Sequence, residues 1–324
     1  MDAITVRDLQ RDYETTTGLF RKEKKVVHAV RGISFEVAQG EIFGLLGPNG
    51  AGKTSTIKIL TTLLAPTAGE ARVLGHKCFG EERELRKKIN FIFGGERSIY
   101  WRLSAYDNLS YFCDLYHIPE KVKNVRIAEL LELVGLSERA HYKVETFSKG
   151  MKQRLQIARG LVNDPQVLFL DEPTIGLDPV GAKTLRDIIR KLAGEGKTIL
   201  LTTHYMQEAD ELCDRIAIIN QGQLHALNTS AKLKESMDTA VIEVELHSLK
   251  EETLSMLKAI EEVGAVAAAP SDLGFRLKID CRNPRKIMPL VNERLYENQV
   301  RSIAVREATL EDVYLKLIGG EHSA

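Results

Sequence analysis

The sequence contains no apolar stretch of the about 20 residues that a membrane-spanning helix needs. Its most apolar runs, such as Val167–Leu170, have the length of buried strands. The N-terminus shows none of the basic, apolar and small-residue segments of a signal peptide, so we expect the chain to stay in the cytoplasm. If the protein moves anything across a membrane, another polypeptide must supply the channel.

Excess charge and a cysteine framework are also lacking. The 45 Lys and Arg residues balance the 45 Asp and Glu residues, so nothing suggests a nucleic-acid partner. The cysteines are far apart without a C-x-x-C pair, which favours reduced thiols over a disulfide or metal framework: Cys78, Cys113, Cys213 and Cys281. The one dense basic run, Arg21–Lys25, predicts a solvated hairpin tip or, alternatively, a contact with anionic lipid headgroups.

Strand and helix patterns alternate over about the first 225 residues, which predicts an α/β domain with a largely parallel sheet. In the segment Thr184–Ala193 the apolar residues recur at helical spacing, as on one face of a helix. The predicted strands are Ile33–Val37, Glu41–Leu46, Val167–Leu170, Thr198–Thr202 and Arg215–Ile219.

The composition shifts after about Asn228, which predicts a small α+β domain over residues 229–324. Its strands and helices alternate in a βαβαβ-like order, for which a ferredoxin-like arrangement is one possibility. The expected elements are strand Ala240–Leu246, helix Lys250–Val263, strand Gly274–Ile279, a helix from Pro284 to about Tyr296, strand Val300–Val305 and helix Thr309–Ile318.

A phosphate-binding loop follows the strand Glu41–Leu46 and opens a helical pattern. Glycines let successive backbone N–H groups curl inward at phosphate oxygens, and the helix N-terminus favours negative charge. We expect Lys53 to place its charge on the β- and γ-phosphates and Thr54 to present a hydroxyl to Mg²⁺. The nucleotide-binding candidates are Gly47, Pro48, Asn49, Gly50, Ala51, Gly52, Lys53, Thr54 and Ser55.

Two carboxylates follow the apolar strand Val167–Leu170, at the strand end where α/β sheets bind ligands. Asp171 is a candidate Mg²⁺ ligand, and Glu172 is a candidate for polarising the attacking water. Alone, such a pair is often a solvated turn, but together with the phosphate loop it predicts a metal and base site. His204, at the end of the next strand pattern, is either structural or a hydrogen-bond partner of the γ-phosphate.

The order of the motifs along residues 3–227 resembles the ABC ATPase family. That resemblance implies an ABC-ATPase fold over residues 1–228, with a helical subdomain at about 95–160 that contacts a transmembrane partner. The motifs after the phosphate loop are Phe147-Ser148-Lys149-Gly150-Met151-Lys152-Gln153-Arg154, Asp171-Glu172-Pro173-Thr174, Gly176-Leu177-Asp178-Pro179 and Thr203-His204.

The resemblance also implies roles for individual residues. Asp178 lies in the loop that couples two sites, and His204 corresponds to the family's switch histidine. Tyr13 resembles the aromatic that stacks on adenine, although it could equally pack on a strand face. The signature loop, which closes on the γ-phosphate of ATP bound to a second subunit, corresponds to Ser148, Lys149, Gly150 and Met151.

The family resemblance implies a head-to-tail homodimer, or a pair of ATPase subunits, with two molecules of ATP between them. ATP and Mg²⁺ are the implied cofactors; ATP binding closes the dimer, and hydrolysis reopens it. A separate permease would hold the chain at the cytoplasmic face of the membrane. No nucleic acid is implied.

The sequence departs from the family pattern at two places. The signature reads F-S-K-G-M where L-S-G-G-Q is usual, a form that resembles exporters with a separate permease chain. It keeps Ser148 and Gly150. Gly95 stands where the family has a Mg²⁺-ligating glutamine, and we hypothesise that Glu96 or a water replaces it. The tail Glu307–Lys316 resembles that of ATPases serving drug, antibiotic or sodium exporters.

Two rival functions fit the sequence less well. An ABC-type ATPase acting on ribosomes or DNA usually has two cassettes or long coiled-coil insertions, whereas this chain has one phosphate loop and no sustained heptads. A catalytically idle regulatory subunit would explain Gly95. The residues that hydrolysis requires are nevertheless all present: Lys53, Asp171, Glu172 and His204.

Overall fold

The computed structural model describes residues 2–17, 23–94, 99–237, 240–271, 274–282, 284–306 and 308–319. The chain divides into two compact units, 1–229 and 230–324. Part of the basic run Arg21–Lys25 and the positions Gly95 and Glu96 lie outside the described residues. Within the described ranges no helix is long and apolar enough to cross a membrane.

The first unit contains ten strands and seven helices among the residues described. The strands are β1 Asp2–Thr17, β2 Glu23–Ala38, β3 Ile42–Leu46, β4 Ala68–Val73, β5 His76–Lys77, β6 Ile89–Ile92, β7 Val167–Asp171, β8 Thr198–Thr203, β9 Arg215–Asn220 and β10 Gln223–Asn228. The helices are α1 Lys53–Leu60, α2 Glu82–Leu85, α3 Ala105–Leu115, α4 Glu120–Leu133, α5 Lys149–Gly160, α6 Pro179–Gly194 and α7 Met206–Leu212.

A six-stranded sheet with the order β10–β9–β3–β8–β7–β6 forms the centre of this unit. Five of its strands run parallel to one another: β6, β7, β8, β3 and β9. Only β10 pairs antiparallel, with β9. β3 and β8 are buried along their whole length, as parallel strands covered on both faces are. The α/β fold class and the parallel core are therefore confirmed.

A second, antiparallel sheet with the order β2–β1–β4–β5 packs against the first. Of its strands the sequence patterns predicted only the segment Ile33–Val37, which lies in β2. The two sheets share one hydrophobic core, in which the rings of Phe35 and Phe43 stack with centroids 5.2 Å apart. In β1 the buried residues Ile4 and Val6 are two positions apart, but the pairing register with β2 shifts between Val6 and the next buried residue, Leu9. This irregularity hides the period of two by which a strand is recognised in sequence.

Helices α3, α4 and α5 form the insert between β6 and β7. α3 begins with a capping box, in which Ser104 and Asp107 satisfy each other's backbone N–H groups. Ser148 and Asp178 are the N-cap residues of α5 and α6, and their side chains accept hydrogen bonds from the first turn of each helix. α6 buries the apolar face that its sequence predicts: Leu185, Ile188, Ile189 and Leu192.

The second unit is a four-stranded antiparallel sheet with the order β12–β13–β11–β14. α9 connects β11 to β12, α10 connects β13 to β14, and a separate hydrophobic core includes Ile242, Leu277 and Val291. The elements are α8 Ser230–Glu235, β11 Ala240–Leu246, α9 Glu251–Lys258, β12 Val263–Ser271, β13 Gly274–Cys281, α10 Pro284–Leu295, β14 Val300–Arg306 and α11 Leu310–Gly319.

The predicted element order of this second unit was wrong at one point. The helix expected to reach Val263 ends at Lys258, and the additional strand β12 follows it. β12 is rich in alanine and contains Gly264 and Pro270, which give a weak strand signal. It lies at the edge of the sheet, where a proline costs no interior ladder hydrogen bond.

The cysteines give a direct test of this fold. All four are buried and unpaired, which confirms the prediction of reduced thiols. Burial raises the pKa of the Cys78 thiol to about 12. Because the thiolate is the reactive form, we expect a chromogenic disulfide reagent at mildly alkaline pH to label none of the four in the folded chain. All four should react in denaturant. A thiol that reacts rapidly in the folded chain would contradict the packing described here.

Candidate active site

Three motifs that are distant in sequence meet at one edge of the central sheet. β3 runs into the phosphate loop, β7 ends at Asp171, and β8 ends just before His204. Leu46 is paired with Thr203, and Asp171 with Thr202, so the strand ends are level. Since parallel strands place their carboxyl ends on the same side, this edge is where an α/β sheet takes a ligand.

In the phosphate loop, Lys53 is held by the main chain. Its ammonium donates to the carbonyl oxygens of Gly47 and Pro48 at 2.7 and 3.0 Å, and the residue is only 4% exposed. Burial lowers the pKa of Lys53, an effect that the Glu172 and Asp171 carboxylates oppose. The loop thus holds a cation at a fixed place, at the start of α1, where the first-turn N–H groups lack a side-chain cap.

A cavity of about 300 Å³ opens beside the loop. The Tyr13 hydroxyl lies 3.1 Å from Ser55 Oγ, and the Arg11 guanidinium lies 4.7 Å from the centroid of the tyrosine ring. The ring is therefore fixed at the cavity wall, as a platform for a planar base requires. The lining residues are Tyr13, Val27, Ala29, Glu172 and the loop residues Asn49, Gly50, Ala51, Gly52, Lys53, Thr54 and Ser55.

Asp171 is surrounded by hydroxyl groups. Thr54 Oγ1 donates to Asp171 Oδ2 at 3.1 Å, and Thr202 Oγ1 donates to Asp171 Oδ1 at 2.5 Å. Thr54 and Asp171 thus offer two oxygen ligands side by side. This suits Mg²⁺, which prefers oxygen and keeps waters and substrate phosphates as its other ligands. Among the described residues no cluster of three or more His, Cys, Asp or Glu offers a complete protein-ligated metal site.

Glu172 has different partners from those of Asp171. Its φ of 49° is in the left-handed region, which a non-glycine residue adopts only when its surroundings hold it there. Its backbone N–H donates to Thr202 O and Oγ1, each at 3.1 Å. Its Oε1 lies 3.1 Å from His204 Nδ1 and 3.8 Å from Lys53 Nζ. A carboxylate fixed in this way, and still 20% exposed, can accept a proton from a water beside the phosphate loop.

The signature-loop residues lie elsewhere. Ser148 caps α5 by accepting from the Met151 N–H at 3.2 Å, and Asp178 caps α6 by accepting from the Gly181 N–H at 2.6 Å. The Lys149 side chain extends over Gly176, where a Cβ would lie 2.0 Å from the ammonium nitrogen. The two loops are therefore neighbours within one chain. None of Ser148, Lys149, Gly150 and Met151 is among the described residues that line the cavity.

Sequence analysis missed two polar residues beside this site. Thr202 binds both Asp171 and the Glu172 backbone, and its only signal in the sequence is a polar residue near the end of an apolar strand. Glu208 on α7 is 4% exposed, and burial raises the pKa of its carboxyl group. Gly94 lies beside Asp171, since a Cβ there would be 3.1 Å from the Asp171 carbonyl oxygen. The roles of Gly95 and Glu96 stay predictions.

Comparison with known proteins decides the family. Residues 30–175 match the sequence model of the family described as ABC transporter. The linearmycin resistance ATP-binding protein LnrL of Bacillus subtilis is 35% identical over 294 residues, which cover 90% of this chain and 93% of LnrL. The chain is an ABC transporter ATP-binding subunit. As a member of the ABC ATPases it is an ATP-hydrolysing protein, which confirms the resemblance seen in the sequence.

Other ABC proteins agree with this assignment. The daunorubicin/doxorubicin resistance ATP-binding protein DrrA of Streptomyces peucetius is 37% identical, with 94% of this chain and 92% of DrrA covered. The solved dimeric structure of MJ0796, a bacterial ABC transporter cassette, has a TM-score of 0.62 at 25% identity. It covers 70% of this chain and 98% of that cassette. This ABC ATPase subunit is thus similar to antibiotic-resistance ATP-binding proteins over nearly its whole length.

The phosphate loop gives a sharp test of the site. A Cβ on Gly47 would lie 2.1 Å from the Ile219 carbonyl oxygen, so the Gly47→Ala loop must move away from β9. Such overpacking costs ~1–3 kcal/mol, and we expect about tenfold or greater loss of ATP affinity. Gly194→Ala, where nothing lies within 4 Å, is the matched control. Titration with a fluorescent ATP analogue measures both. Equal affinities for the two variants would contradict the close approach of the loop to β9.

Proposed function

We propose that this ABC ATPase powers an exporter, as one of two ATPase subunits that hold two ATP molecules between them and act on a separate membrane permease. The observation that carries the proposal is the contact network of Lys53, Glu172 and His204 at the carboxyl edge of the parallel strands. It combines a fixed cation, a general base and a histidine that orients the base. Phosphoryl transfer to water uses a fixed cation that holds the phosphates and a residue that orients or deprotonates the attacking water.

One chain supplies the half of the site that binds ATP and attacks it. Lys53 and the N-terminus of α1 hold the phosphates, and Tyr13 takes the adenine ring. Thr54 and Asp171 would hold Mg²⁺, which neutralises charge on the phosphates. Glu172 takes a proton from the attacking water. His204, through its Nδ1 contact of 3.1 Å, keeps the Glu172 carboxylate aimed at that water.

The second chain supplies the other half. Ser148 caps α5 with its side chain, and the N-terminus of that helix favours an anion. Lys149 and Gly176 bring the signature loop and the Asp178 loop next to each other, so both can reach a partner's ATP together. ATP binding closes the dimer, and hydrolysis with product release reopens it. The dimeric state of the similar MJ0796 cassette is consistent with this arrangement.

The helical insert offers a surface for the permease. Five large apolar side chains in α3 and in the segment before it are between 37% and 55% exposed, and exposed apolar surface of this kind marks interaction sites when it is contiguous. They are Tyr100, Trp101, Leu103, Tyr111 and Leu115. The permease would hold this subunit at the cytoplasmic face of the membrane. LnrL and DrrA are named for resistance to linearmycin and to daunorubicin and doxorubicin, so we propose export of antibiotic-like molecules.

The second unit, residues 230–324, is proposed to be a ferredoxin-like accessory domain. Its βαββαβ order and its strand order β12–β13–β11–β14 support this assignment. A role in holding two subunits together and a role in regulation are both compatible with its fold.

The Glu172→Gln variant tests this function. It retains the shape of the site but cannot accept the proton, so we expect ATP to bind without turnover and to trap the dimer. Size-exclusion chromatography with light scattering should show a monomer without nucleotide and a dimer with ATP and Mg²⁺. Adding Ser148→Arg to Glu172→Gln should keep the chain monomeric, because the bulky cation obstructs the loop. Hydrolysis by Glu172→Gln at the wild-type rate would contradict the proposed base.

A further inference from the structure

The helix that follows the signature loop, α5, contacts both the end of β6 and the segment before α3. Near its C-terminal end, Arg159 donates from Nη2 to the Phe91 carbonyl oxygen at 2.8 Å. The same guanidinium lies 5.2 Å from the centroid of the Phe112 ring on α3. Arg159 thus binds the last turns of α5 both to the end of β6 and to the helical insert.

The beginning of α5 holds the other side of this connection. Lys152 Nζ lies 4.1 Å from the centroid of the Trp101 ring, a cation–π contact, and the lysine is 9% exposed. Lys152 and Arg159 are seven positions apart, about two turns of helix, so they share one face of α5. One face of a single helix therefore holds the main chain at Phe91 and the side chain at Trp101.

A short backbone ladder strengthens the contact at Trp101. The Glu145 N–H donates to the Trp101 carbonyl oxygen at 2.9 Å, and the Val144 N–H donates to that of Leu103 at 3.0 Å. The turn at 144–146 is separated from Ser148 by one residue, Phe147. Trp101 is consequently joined to the signature loop from two directions: by main-chain hydrogen bonds before Ser148 and by Lys152 after it.

Trp101 also belongs to the exposed apolar surface of the insert. It is 45% exposed, next to Tyr100 at 48% and Leu103 at 37%. The Trp101 ring therefore contacts α5 through Lys152 and also forms part of the exposed surface. A partner that docks on the exposed part would touch the same ring that Lys152 contacts.

We propose that Trp101 is the positioning residue through which the insert surface and the signature loop influence each other, with Lys152 as its link to α5. The inference rests on the proposed function in that Ser148 acts on ATP bound to a second subunit. Coupling between two binding events is reciprocal. ATP-driven closure therefore changes the environment of Trp101, and weakening the Lys152–Trp101 contact weakens closure.

The chain contains one tryptophan, so the emission reports on the environment of Trp101 alone. The experiment titrates the full-length Glu172→Gln chain with ATP and Mg²⁺ while tryptophan emission and mass by light scattering are recorded. We expect the emission to change in step with dimer formation. Adding Lys152→Met should abolish the emission change and weaken ATP-driven dimerisation by about 2- to 30-fold, the range of a cation–π contact.

Conservative variants separate this role from a merely structural one. Adding Lys152→Arg should restore both the emission change and the dimerisation, because a guanidinium also stacks on an indole ring. Trp101→Phe should retain most of the dimerisation, whereas Trp101→Leu should weaken it as Lys152→Met does. Thermal unfolding of each variant identifies any general loss of stability.

Two results would overturn the proposal and can be told apart. Dimerisation with ATP but without an emission change, or with the same change in the Lys152→Met chain, would contradict the role of Trp101 alone. Failure of the Glu172→Gln chain to dimerise with ATP at all would contradict the proposed function as well, and the coupling with it.

Discussion

The parallel alignment of β3, β7 and β8 is the constraint on which the site depends. Because the three strands run in the same direction, the turns that follow them must share one edge of the sheet. Leu46 lies beside Thr203, and Asp171 lies beside Thr202. That register places a loop near residue 50, carboxylates near 171 and a histidine at 204 within contact distance. An antiparallel β7 or β8 would separate Lys53 from Glu172 or His204 by the width of the sheet.

Two adjacent carboxylates acquire different partners through a single backbone feature. Asp171, the last residue of β7, accepts from the hydroxyls of Thr54 and Thr202. Glu172 follows with a φ of 49° and turns toward Lys53 and His204 instead. The two hydrogen bonds from its N–H to Thr202 hold this unfavourable conformation. Thr202 is therefore central to the site, although it carries none of the chemistry.

The sequence was most informative where function requires contiguous residues. The phosphate loop, the Asp171–Glu172 pair and the apolar face of α6 each lie in one short segment. The structure places the first two at the ends of β3 and β7 and buries the apolar face of α6, whereas the roles of the site residues stay predictions. Strands β1, β4, β5, β6, β10 and β12 were not predicted. β1 has irregular alternation, and β12 is an alanine-rich edge strand. The contact between Lys152 and Trp101 has no signal in the sequence, since only the folded insert brings them together.

Shared catalysis between two subunits is the central claim, and mixing two defective variants tests it most directly. Lys53→Ala lacks its own phosphate-loop cation, and Ser148→Arg lacks a working signature loop, so each variant should be inactive on its own. In a mixed dimer, the intact phosphate loop of one chain meets the intact signature loop of the other, and one complete site forms. We predict that ATP hydrolysis returns on mixing. A mixture as inactive as its components, although both are folded and form mixed dimers, would contradict the shared site.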